Sequence, residues 1–178
     1  TLGLLPQPVL PAGTFSGRRI DFRSYTGYGG NLEQLQKSAA SAGFFNMVPD
    51  YDGSTRRVPM LAEYNGAYYE SLSLAMVRQL LGNPKVTPGF PTKASGKEYT
   101  AMEWIDLPTQ QGTMRIPVDE TVSSLVPFRG YQSSFRYISA THVLDGQAPA
   151  DALAGAIVLI GASAPGLQDV RAVPVAKE

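Results

Sequence analysis

The stretch "GFFNMVPDYDGSTRRVPMLAEYNGAYYESLSLAMVRQLLG", Gly43 to Gly82, decides the reading of the fold. "DYDG" reads as a tight turn, because Asp and Gly are residues that turn geometry favours. The apolar "GFFNMVP" before it and "STRRVPMLAEY" after it read as paired strands. A β-hairpin is therefore expected around residues 44–64. "NGAYY" supplies a second Asn-Gly turn. Ser71 then caps a helix, "LSLAMVRQLL", that Gly82 ends. Its apolar positions nearly encircle it, which predicts deep burial.

Upstream, "RIDFRSY", Arg19 to Tyr25, alternates like a strand. After "GYGG", Asn31 and Gln34 have capping-box spacing. Leu32, Leu35, Ala39 and Ala42 share one helical face, and Gly43 sits where a C′ glycine belongs. A helix is expected over residues 32–42. Downstream, residues 83–97 are polar and rich in Pro and Gly, and read as a mobile loop. "EYTAMEWIDL" and "GTMRIPV" form a strand pair around residues 108–112, and "SSLVPF" is a further strand. Ser139 caps "ATHVLD", ended by Gly146, and Pro149 opens a helical "PADALA" ended by Gly155. The apolar run Ala156–Gly161 is the expected last core strand. The expected class is α/β or α+β, a mixed β-sheet with flanking helices in a single domain.

At 178 residues the chain fits one domain of ordinary size. Glycine (18) and proline (14) together exceed the usual ~12% share, which favours turns and short elements over a helical bundle. Fifteen basic and fifteen acidic residues balance, with no basic stripe for nucleic acid. No apolar run reaches the ~20 residues of a membrane span. The N-terminal "TLGLLPQPVLPAG" lacks the basic start of a signal peptide and reads as extended. The absence of cysteine rules out disulfides and thiolate ligands, and a single His142 rules out a multi-histidine metal site.

"GAIVLIGASAPGLQDVRAVP", Gly155 to Pro174, invites a catalytic reading. A hydrolase elbow needs Gly-x-Ser-x-Gly, but Pro165 stands at the last glycine. A serine hydrolase would have to pair Ser163 with His142, and that pair remains the enzymatic alternative. A P-loop is excluded because Leu167-Gln168 stand where Lys-Ser/Thr is required. Asp50 and Asp52 open like a calcium loop, but its twelfth position is Leu61 rather than Glu. The turn is the simpler account of the two carboxylates. Arg56 and Arg57, neighbours on a strand, point to opposite faces. His142 reads as structural rather than as a proton switch, and the tyrosines of "YNGAYY" as packing rather than as a pocket lining.

These residues resemble the second type of CHASE domain, a family of extracellular sensory domains associated with cyclases and histidine kinases. Gly43, Phe44, Asn46, Pro49, Asp50, Asp52, Gly53, Arg56, Arg57, Pro59, Ser71, Leu72, Leu74 and Ala75 fit its first block in order. Arg129, Gly130, Phe135, Ser139, Val143, Leu144, Gly146, residues 157–161, Ala164, Gly166, Leu167, Asp169 and Pro174 fit its second. Phe128 and His142 depart from a usual tyrosine and a usual acidic residue. The family's large N-terminal half does not precede these blocks, so the chain is expected to be the C-terminal part of a larger extracytoplasmic region.

The resemblance implies a non-enzymatic input domain outside the cytoplasm, anchored to the cell membrane in its parent protein. Its partners would be an unidentified small-molecule or peptide signal, the transmembrane helices and cytoplasmic output module of the same chain, and a second copy in a homodimer. The output module would be a nucleotide cyclase, histidine kinase, diguanylate cyclase or Ser/Thr kinase. No catalytic residue, cofactor, metal or nucleic acid is implied. The candidate ligand-side groups are Asp50, Asp52, Arg56, Arg57, Arg129, Asp169 and Arg171. A ligand-free dimerisation module is the third reading.

Overall fold

The fold, that of a computed structural model, is described for residues 2–91, 101–131, 134–149, 151–161 and 173–174. The elements run β1 (Arg23–Tyr25), α1 (Glu33–Ser38), β2 (Arg57–Pro59), β3 (Leu61–Tyr64), β4 (Ala67–Glu70), α2 (Leu72–Leu80), β5 (Thr87–Gly89), β6 (Trp104–Thr109), β7 (Gly112–Pro117), β8 (Ser123–Leu125) and α3 (Ala140–Leu144). The class is α+β with mixed pairing: β3 lies parallel to β1 and antiparallel to β4. β2 pairs antiparallel with β8, and β5-β6-β7 form an antiparallel meander.

The hairpin sits one turn later than residues 44–64. β3 and β4 close it across Asn65-Gly66, both at positive φ (50° and 77°). Asn and Gly tolerate that backbone region, and its twist suits a two-residue hairpin. The "DYDG" turn does form, but it does not join two paired strands. Of the residues before it, Phe44 alone makes a bridge, parallel to Ser71. Gly43 explains why that bridge is possible, since a Cβ there would collide with the Ser71–Leu72 backbone. Its role is close approach rather than helix capping, because α1 has already ended at Ser38.

α1 is shorter than the expected helix over residues 32–42. It buries none of its residues, and Leu32 and Leu35 stay exposed. Its N-cap is Leu32, whose side chain cannot accept a hydrogen bond, while Asn31 bonds the Gln36 side chain instead. α2 forms with the expected cap: the Ser71 hydroxyl accepts from the Leu74 amide. It buries one stripe, Leu74 and Ala75, while Leu72 and Leu80 face outward. Within residues 83–97, Thr87–Gly89 are strand β5 and Val86 is buried, because β6 supplies a pairing edge; residues 92–100 lie outside the described residues.

The core gathers Leu10, Phe15, Met60, Leu61, Leu74, Val86, Met102, Ile105, Leu107 and Val122. Each fully buried aliphatic side chain contributes about 1.5–3 kcal/mol relative to exposure. Phe15, Phe22 and Tyr68 pack as a ring triad, with centroids 4.7–4.9 Å apart. The alternation on β6 is strict, with Ile105 and Leu107 facing in between outward Trp104 and Asp106.

Two compact units are present: residues 1–49 with 56–126, and residues 50–55 with 127–178. In the second unit α3 forms as expected, capped by Ser139 and ended by Gly146 at φ 69°. Of the expected helix from Pro149, residues 151–155 make turns and bends instead. The expected strand Ala156–Gly161 does not form. Ile157, Val158, Leu159 and Ile160 are 59, 50, 78 and 94% exposed. A strand needs a neighbour for its backbone groups, and no described residue supplies one.

The core is the stability-determining element. Ile105→Ala is expected to lower unfolding stability by about 2–5 kcal/mol. Leu125→Ala, at an exposed site, should change it by less than about 0.5 kcal/mol. Chemical denaturation of both variants checks the contrast.

Candidate functional site

The acidic turn is built by its own backbone. The Asp50 amide donates to the Ser54 carbonyl at 2.9 Å, and the Gly53 amide to the Asp50 carbonyl at 2.9 Å. Asp52 Oδ1 accepts from the Ser54 amide at 3.0 Å, an Asx pattern that fixes the loop. Gly53, at φ 80°, takes the backbone angle a side chain would resist. Asp50, Asp52 and Arg56 all have further interaction partners. Arg129 is exposed, next to Gly130 at φ 149°. Asp169 and Arg171 lie outside the described residues, as does Ser163. His142 is exposed on α3.

Arg57 pairs with Asp119. Its Nη1 donates to Asp119 Oδ2 at 2.8 Å, which ties β2 to the loop before β8. Asp119 Oδ1 accepts from the amides of Thr121 and Ser123, both at 3.0 Å, and from the Thr121 hydroxyl at 2.8 Å. Burial pushes the Asp119 carboxyl up, but the Ser123 amide, the Thr121 hydroxyl and Arg57 together hold it below its ordinary value. The loop they brace holds Val122 fully buried at φ 58°. That is an unfavourable angle for a β-branched residue, so the surroundings must impose it.

Two further ion pairs stand out. On the β5-β6-β7 sheet, Arg115 donates from Nε and Nη2 to the two Asp106 oxygens, both at 2.9 Å, across a register pair. The Trp104 indole donates to Asp106 Oδ2 at 3.0 Å, and the Arg115 guanidinium lies 4.2 Å from the Trp104 ring centroid. The Arg115 bonds, with help from Trp104, hold the Asp106 carboxyl below its ordinary value against a smaller effect of burial. Gly89 faces Trp104 in register, and a Cβ there would run into the indole ring.

Glu70 and Arg78 form the buried pair. Arg78 Nη1 donates to Glu70 Oε1 at 2.6 Å, and Arg78 Nε to the Pro84 carbonyl at 2.8 Å. This one guanidinium ties β4, α2 and the following loop together. Glu70 Oε2 is buried with no partner among the described residues. Burial therefore outweighs Arg78, and the Glu70 carboxyl is held above its ordinary value. On the opposite face of the β1-β3-β4 sheet, Tyr64 packs edge-on against Tyr28 at 5.3 Å and against Tyr69 at 6.4 Å. The tyrosines read as packing residues do pack on one another.

Sequence reasoning missed Asp119, Asp106–Arg115 and Glu70–Arg78. The spacing of Asp119, Thr121 and Ser123 is a recognisable Asx signal. Asp106–Arg115 follows from the hairpin once its turn is placed. Glu70 and Arg78 lie in different elements and leave no short-range pattern. Among the described residues no cluster of acidic or histidine side chains could hold a metal ion. No described helix is long and apolar enough to cross a membrane. The chain matches the CHASE2 domain family over residues 9–178. No curated protein and no solved structure matches it.

The ion pairs set opposite pH responses. A raised folded-state value means that the fold binds a proton at Glu70 that the unfolded chain releases. Stability from Glu70 is therefore full below its ordinary 4.5 and is lost as pH rises through the raised value. Asp106 and Asp119 do the reverse: their contribution is present above 3.8 and lost as pH falls through the lowered values. The Tm of wild type minus that of Glu70→Gln is thus expected to fall as pH rises from 4.5. A pH-independent difference would show that Glu70 titrates alike in both states.

Proposed function

The chain belongs to the CHASE2 family of extracellular sensory domains, and from that membership we propose that it is the signal-sensing input domain of a membrane-anchored signal-transduction protein. The observation that carries the reading is the match across residues 9–178, nearly the whole chain. The domain does no chemistry in this reading. It binds a signal outside the cytoplasm and passes the result through membrane helices to a cyclase or kinase module on the same polypeptide.

Such a domain works only if the signal prefers one of two conformations. A ligand with equal affinity for both shifts nothing, however tightly it binds. The physical requirement is therefore a group whose surroundings differ between the two conformations. Asp50, Asp52, Arg56, Arg57, Arg129, Asp169 and Arg171 are the proposed ligand-side groups. Arg57 has a competing partner in Asp119, so a ligand that recruited it would have to break that pair.

The coding sequence that flanks the domain tests the class directly. A membrane-spanning segment and a cyclase or kinase segment are expected on the same polypeptide, and a chain carrying neither would overturn the reading. Within that full-length protein, Arg129→Ala and Asp169→Ala are expected to change the output activity. Output indistinguishable from wild type across growth conditions would remove both residues from the site.

A further inference from the structure

A cleft of ≈ 700 Å³ opens between the C-terminal end of α2 and the turn that joins β6 to β7. Leu80, Leu81, Gly82 and residues 109–114 line it. Its volume falls within the range of about 300–1,000 Å³ that small-molecule sites occupy. Its chemistry is distinctive because, among the described residues, no acid or base lines it. Leu80, Leu81 and Met114 make an aliphatic wall, and Gln110 and Gln111 set two carboxamides beside it.

The turn is locked in advance of any ligand. The Thr109 hydroxyl donates to the Gly112 carbonyl at 2.9 Å and accepts from the Gln111 amide at 3.2 Å. Gly112, at φ 129°, takes the backbone angle a side chain would resist, so the two glutamines need not. Neither glutamine side chain is hydrogen-bonded to another described residue. On the opposite wall α2 is closed off: the Gly82 amide donates to the Gln79 carbonyl, and the Asn83 amide to the Arg78 carbonyl. Leu80 is 66% and Met114 41% exposed, so apolar surface stands open beside unused amide donors and acceptors.

We propose that this cleft is a binding site for an uncharged amphipathic small molecule, one with an aliphatic face and hydroxyl groups. The aliphatic face would cover Leu80, Leu81 and Met114, removing exposed apolar surface from water. The hydroxyls would pair with the Gln110 and Gln111 carboxamides, each of which both donates and accepts. A charged ligand is disfavoured, because no described lining side chain would offset the loss of its hydration. The site stands on the cleft alone and does not require the sensory reading.

The test is a titration of the purified chain, read by backbone amide NMR. The probes are n-octyl β-D-glucopyranoside below its micelle concentration, methyl β-D-glucopyranoside and sodium octyl sulfate. Saturable shifts confined to residues 80–82 and 109–114 are expected with the octyl glucoside, and much weaker ones with the other two. Gln111→Ala is expected to weaken binding about ten-fold, the order of one lost hydrogen bond. Leu80→Asp, at an exposed position, should abolish saturation while the rest of the spectrum is unchanged. Shifts that scatter over the surface, octyl sulfate binding as tightly, or unaltered affinity in both variants would each overturn the proposal.

Discussion

Everything in the larger unit depends on a change of partner at Met60. The run Arg57–Tyr64 is nearly continuous extended chain, yet its two halves serve different sheets. Before Met60 it pairs with β8; after it, with β1 and β4. The Met60 amide donates to the Val122 carbonyl at 2.8 Å, and its carbonyl accepts from the Ser71 amide at 3.0 Å. One peptide segment is thereby fixed from both sides. The unusual backbone of Val122 is what presents that carbonyl. Asp119 and Arg57 hold the loop, and the core closes over it.

This arrangement explains the placing of the ion pairs. Two of them brace a loop or a helix against a strand, and the third, Arg115–Asp106, crosses a strand pair that backbone hydrogen bonds already join. Arg57–Asp119 fastens the β2–β8 pair to the loop that supplies Val122. Arg78–Glu70 fastens the exit of β4 to the last turn of α2 and to the Pro84 carbonyl. Removing one partner of the buried pair would strand the other without water, a more costly change than never having had the pair. Arg115–Asp106 is exposed and adds less, but it orders the Trp104 ring.

Local signals were legible in the sequence, and long-range partners were not. Ser71 and Ser139 announced their helices, because an N-cap is a matter of one hydroxyl and an amide two or three residues on. The β6–β7 pair was readable from its alternation, and Asn65-Gly66 from its turn chemistry. The hairpin at residues 44–64 failed because β2 found its partner at β8, more than sixty residues away, where no local pattern points. The run Ala156–Gly161 has the composition of a buried strand, but composition cannot say whether a neighbour is present. For the candidate site, sequence located the acidic turn and the arginines but not the partner of Arg57. The β6–β7 cleft was invisible, since glutamines and threonines in a turn look like ordinary surface.

Trp104 is the only tryptophan in the chain, and its surroundings are unusually defined. It lies flush against Gly89, shares Asp106 with Arg115, and carries a guanidinium beside its ring. Its strand runs on to Thr109, at the rim of the β6–β7 cleft. Indole emission from this protein is therefore a one-site optical signal. It reports whether the meander is assembled without labelling, and without interference from any second chromophore of its kind.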